Sequence, residues 1–194
     1  MTPVDELLHT LRIKGLATPE ALAAVLGLST AEVAAGLERL AAGGLVLERA
    51  AGKRPGWAIL PAGREHHAAA LAAAAAPAVP LLALVYERFL DHNAPVKALC
   101  VHWQRTTDDA DRFDLLDQLA ELHEGALPVL AEAGTVAGRF GRYGERLTAA
   151  LALAPEDPRY VVSPLVESYH QVWFECHEDF LLTLGRDRAE EGSF

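Results

Sequence analysis

The chain has 194 residues, 51% of them hydrophobic and 23% charged, which excludes a disordered segment and allows one large domain or two small ones. Its formal charge of −10 excludes a protein that coats nucleic acid along its whole length. The charge is uneven: residues 1–75 hold seven cations and seven carboxylates, so only the first part suits DNA phosphates.

Thr2-Pro3 offers a cap and a first-turn proline for a helix whose apolar stripe is Val4, Leu7, Leu8 and Leu11 and whose end is Gly15. Thr18-Pro19-Glu20 repeats that start, and residues 21–26 give a short second helix with Val25 inward. Gly27-Leu28-Ser29 is a tight turn into a third helix. Ser29 and Glu32 have capping-box spacing, Val33, Leu37 and Leu40 share one face, and Gly43-Gly44 stops the run. Residues 45–47 and 57–60 read as two short strands, and the turn between them carries Lys53 and Arg54. Two helices joined by a glycine turn, then a hairpin with a basic tip, predict a winged helix-turn-helix.

Beyond Gly63 an alanine-rich tract predicts a further helix. Adjacent His66 and His67 point about 100° apart on it, so they are expected to face solvent rather than to grip a metal. Pro77 and Pro80 break the tract and set a boundary between a domain of residues 1–76 and a domain of residues 77–194. Residues 68–86 are uncharged, but their alanines and the two prolines speak against a membrane span. No apolar signal segment opens the chain, and Cys100 and Cys176 lack CxxC spacing and read as buried thiols in a reducing compartment. A cytoplasmic protein with no membrane partner is the expectation.

The second half reads as helix throughout. Residues 81–91 form one segment, and Asn93 caps the next, which has Pro95 early and carries Val96, Leu99, Cys100 and Trp103. A helix over 108–122 is expected to bend or divide at Gly125 and Pro128, and another covers 137–153. Ser163-Pro164 starts the last helix. There Val166, Tyr169, Trp173, Cys176 and Phe180 make one stripe, and His170, Phe174, His177 and Leu181 a second. A helix apolar around most of its circumference is a central one, and its histidines need hydrogen-bond partners. The fold class is therefore mainly α: three helices with a two-stranded wing, followed by an all-α bundle.

Between Leu7 and Arg64 the segments TPEALAAVLGLSTAEVAAGLERLAAGGLV and WAILPAGRE resemble the winged-helix regulators of the MarR-like type, with Leu60 where that family has threonine. The resemblance implies a homodimeric transcriptional regulator bound to double-stranded DNA. On this chain the residues suited to DNA are Ser29, Thr30 and Arg39 of the third helix and Arg49, Lys53 and Arg54 of the wing. Ala31, Ala34, Ala35 and Glu38 on the same helix suit base reading poorly, which leaves a second reading open: an interaction or enzyme-regulatory module that keeps the winged-helix shape. In the bundle, Trp103, Tyr169, His170, Trp173, Phe174 and His177 are candidates to bind a small-molecule effector.

The acid and histidine residues Glu167, His170, Glu178, His102 and His123 are a weaker echo of the metal-holding helical domain of FadR-type GntR regulators. That family's Asp-x-x-x-His pair has no match in this context, and neither metal nor cofactor is expected. The pairing of RIKGLATPEALAAVLGLS with YHQVWFECHEDFL is similar to regulatory modules sometimes attached to phosphoenolpyruvate-using dikinases. No phosphotransfer motif, nucleotide loop, HExxH or GxSxG is present, so no catalysis is expected.

Overall fold

A computed structural model of the chain describes residues 2–50 and 55–186. It is mainly helical, with one small antiparallel sheet. It separates into two compact units, Met1–Ala76 and Pro77–Phe194.

In the first unit, α1 (Pro3–Lys14) starts with a full capping box. The Asp5 amide donates to Thr2 Oγ1 at 3.2 Å, and the Thr2 amide donates to Asp5 Oδ2 at 3.0 Å. Gly15, at φ 74°, turns the chain into β1 (Leu16–Ala17). Thr18 caps α2 (Pro19–Leu26), and left-handed Gly27 closes it. Leu22 and Ala23 are its buried residues, whereas Val25, expected inward, is only half-buried. Next comes α3 (Thr30–Ala42), which buries Val33, Leu37 and Leu40. Gly36 is buried there because an added Cβ would lie 2.6 Å from the Leu7 side chain, so α1 and α3 pack closely at that point.

Strands β2 (Val46–Arg49) and β3 (Gly56–Ile59) form the expected hairpin, whose tip, with Lys53 and Arg54, lies outside the described residues. The sheet has a third strand that the sequence pattern did not disclose: β1 pairs with β3, giving the order β1-β3-β2. A two-residue strand is too short to show alternation, so only its pairing reveals it. Val46 and Ile59 lie opposite each other and are buried beneath the helices. Leu47 and Arg49 therefore point to the opposite face.

The exit into α4 (Pro61–Ala75) depends on Gly63, where an added Cβ would stand 2.1 Å from the Leu45 carbonyl oxygen. That oxygen also accepts the Leu60 amide at 2.9 Å, so strand entry and helix start share one backbone contact. On α4 the adjacent histidines do diverge, but only His66 is exposed. His67 is buried, stacked on His9 of α1 with its Nε2 at 2.8 Å from His9 Nδ1, which corrects the expectation that both face solvent.

The second unit consists of α5 (Val79–Arg105), α6 (Asp109–Val136), a 3-10 turn at Gly138–Phe140, α7 (Gly141–Leu153), the short α8 (Arg159–Val162) and α9 (Tyr169–Leu184). The chain is not divided into separate helices at Asn93 or at Gly125 and Pro128. Pro95 and Pro128 sit inside continuous helices. Both face solvent, as do Asp91 and Glu124 four residues earlier, so the carbonyls that lose a helical donor are on the wet side. Asn93 is not a cap but a buried residue of α5. The start of α9 also differs: Ser168, not Ser163, is its N-cap, accepting from the Gln171 amide at 3.3 Å.

Among the described residues no single helix is long and apolar enough to cross a membrane. The uncharged run 68–86 is divided between α4 and α5. Cys100 and Cys176 are both buried free thiols.

Candidate nucleic-acid interface and the bundle core

The exposed cations of the first unit without carboxylate partners lie on α3, on the outer face of β2 and in the first turn of α4. Ser29, Thr30, Ala31, Ala35, Glu38 and Arg39 are exposed on and beside α3, and Ala34 is half-buried. The hydroxyl of Ser29 is committed to its own cap: it donates to Glu32 Oε2 at 2.6 Å and accepts from the Glu32 amide at 3.2 Å. That hydrogen bonding holds the Glu32 carboxyl below the usual range. Thr30, by contrast, keeps its hydroxyl free of protein partners among the described residues.

Arginines separate the two units chemically. In the second unit Arg88, Arg112, Arg139, Arg146, Arg159 and Arg186 each face a carboxylate, and exposed Arg105 is the exception among the described residues. Among the described residues of the first unit, Arg39, Arg49 and Arg64 meet none, and all three are exposed. Trp57 packs against the core from the inner face of β3, and Arg49 occupies the outer face of β2 beside exposed Leu47. Lys53 and Arg54 belong to the tip outside the described residues.

The bundle is organised around α9, whose aromatic side is closely packed. Trp173, Tyr169, Tyr86, Phe89, Phe140 and Phe180 are its largest fully buried side chains. Trp173 stacks on Phe89 with centroids 4.8 Å apart, and its indole N–H donates to Asn93 Oδ1 at 3.0 Å. His177 Nε2 lies 2.9 Å from the Tyr86 hydroxyl.

His123 on α6 ties α7 to α9. The Thr148 hydroxyl donates to the Gly144 carbonyl at 2.9 Å, so its contact with His123 Nε2 at 3.0 Å has the imidazole as donor. Nδ1 is then the acceptor facing the Tyr169 hydroxyl at 3.4 Å. Burial lowers the His123 pKa, which agrees with a neutral ring in this role.

The opposite side of α9 is polar and was missed by sequence reasoning. Asp179 accepts from Arg139 Nε at 3.0 Å and from the Tyr143 hydroxyl at 3.1 Å. Glu175 accepts from Arg146 Nη2 at 2.6 Å, and Glu167 accepts from the same guanidinium at 3.0 Å. Burial alone would lower the Arg146 pKa, but the two carboxylates outweigh it and raise the value. The available signal was the pair Glu175 and Asp179, one turn apart on the same face of a helix rich in apolar residues.

The six effector candidates do not converge on one opening. Trp103, Tyr169, Trp173 and His177 are buried, His170 is half-buried, and Phe174 is 47% exposed. The bundle does have an open groove of about 570 Å³ between α6 and α7, lined by Leu127, Ala131, Gly141, Gly144, Thr148 and Ala152 among others, and it includes none of those six. Glu167 and His123, named as part of a metal echo, bond to Arg146 and to Thr148 and Tyr169 instead. Among the described residues no three His, Cys, Asp or Glu side chains are grouped so as to hold a metal ion. No known protein family, curated protein or solved structure matches the chain.

Proposed function

We propose that this chain is a DNA-binding transcriptional regulator acting as a homodimer, its first unit a winged helix-turn-helix with α3 as recognition helix and the β2–β3 hairpin as wing. The observation that carries the reading is the contrast in arginines. In an acidic chain, cations without carboxylate partners are free to neutralise phosphate, and Arg39, Arg49 and Arg64 are such cations. Lys53 and Arg54 add positive charge in sequence at the wing tip. The order helix, helix, capped helix, hairpin supports the same reading.

The acidic second unit repels phosphate and supplies the dimer contact, which gains affinity by joining two half-sites. Its α6–α7 groove offers room for a small effector. Exposed Leu28 and Leu47 favour the second reading, a protein-docking module of the same shape.

Recovery of sheared genomic DNA on the full-length chain at about 0.15 M salt separates the two. Enrichment of a few fragments, lost in Arg39→Ala/Arg49→Ala/Arg64→Ala, supports the regulator. Uniform recovery, or none, overturns it in favour of the docking module.

A further inference from the structure

The first half of a recognition helix is the part that meets base edges. On α3 that half presents Thr30, Ala31, Ala34 and Ala35, with Glu32 exposed at the edge and held by the Ser29 cap. Ala31 and Ala35, four residues apart, lie along the centre of the exposed face, with Thr30 and Ala34 flanking them on one side. Ser29 and exposed Glu32 are tied to each other in the cap, so beside that carboxylate the half offers one free hydroxyl and methyl groups.

The major groove presents donors, acceptors and one apolar feature, the C5-methyl of thymine. A methyl-faced helix cannot replace the water lost from a donor or acceptor, but it can bury a thymine methyl. Its short side chains also let the helix backbone approach the base edges closely. Arg39 on the same helix and Arg49 and Arg64 outside it, all without carboxylate partners, are the groups that would hold it there through phosphates.

We infer that α3 selects its site by thymine methyl groups, the ligand being a duplex with thymines displayed in the major groove opposite Thr30, Ala31, Ala34 and Ala35. This rests on the DNA-binding reading above and names what that site reads. Glu38, exposed one turn further on, adds an acceptor suited to a cytosine amino group at the edge of the same site.

The test starts with selection of duplexes from a random pool by the full-length chain. Fluorescence anisotropy then compares the selected duplex with one in which deoxyuridine replaces thymidine, which removes only the C5-methyl. Each contacted methyl should be worth about fourfold in affinity, the transfer energy of one buried carbon. Thr30→Ser, which keeps the hydroxyl, should weaken binding to the thymine duplex and leave the uracil duplex unchanged. Equal affinity for the two duplexes, or an equal effect of Thr30→Ser on both, overturns methyl reading while leaving DNA binding intact. A pool with no enriched sequence overturns the DNA-binding reading itself.

Discussion

Arg146 reaches Glu175, on a different helix, at 2.6 Å, and Glu175 is almost fully buried. Removing the guanidinium strands a carboxylate in the interior, a far larger penalty than losing a surface ion pair. Arg146→Ala should therefore cost about 3–5 kcal/mol of stability in urea unfolding. Removing exposed Arg159, paired with Asp157, should change stability little in the same measurement.

His123 gives a pH signature of the opposite kind. Its folded pKa is lowered from 6.5, so the unfolded chain binds its proton first as pH falls. The stability this ring contributes is complete above about pH 6.5 and is lost as pH falls toward its lower folded value. The midpoint of thermal unfolding should drop between pH 7 and 5, and His123→Gln should flatten that drop. His170, also lowered by burial, adds to the slope in the same direction. Neither partnership was legible in the sequence, because Glu175 lies 29 residues from Arg146 and Tyr169 lies 46 from His123.

At the scale of elements, the local signals that proved readable are those whose cause is local. Thr2, Thr18 and Ser29 each cap the helix that follows, and the glycines after them end it. Proline and asparagine misled where tertiary packing decides. Pro95 and Pro128 are carried on the wet side of long helices, and Asn93 serves the Trp173 indole 80 residues away. The site residues divide in the same way. Exposure of Thr30 and Arg39 followed from the apolar face of α3, whereas the burial of His67 depends on His9, which no spacing rule connects to it. Gly63 is the element-scale test. Its Cβ would collide with a backbone oxygen, which cannot swing aside. Gly63→Ala should thus destabilise the first unit by about 1–3 kcal/mol in chemical denaturation, as overpacking does elsewhere. Gly138→Ala, with open space around it, should change stability little.

For the whole molecule, the division of labour was visible in charge before any fold was known. The first part is neutral and the second carries the entire −10, and the proposed division between a phosphate-binding unit and a repelling one rests on that. What sequence did not disclose is that the arginines of the acidic unit are largely paired with its own carboxylates, while Arg39, Arg49 and Arg64 of the neutral unit are exposed and meet no carboxylate among the described residues. The bundle's aromatic residues read as a pocket because size and spacing do not distinguish a lined cavity from a filled core. Trp173, Tyr169 and Phe89 fill theirs.

The measurement closest to the central claim is the salt dependence of anisotropy for the full-length chain on the genomic duplex it recovers most strongly. Arg39→Ala/Arg49→Ala/Arg64→Ala is measured alongside, and a random duplex of equal length serves as the reference. Tighter binding than to the random duplex near physiological salt, with the slope of log K against log salt shallower by about five in the variant because each of two protomers loses its three arginines, is the result predicted. Equal affinity for both duplexes, or a slope the three substitutions leave unchanged, would contradict the account.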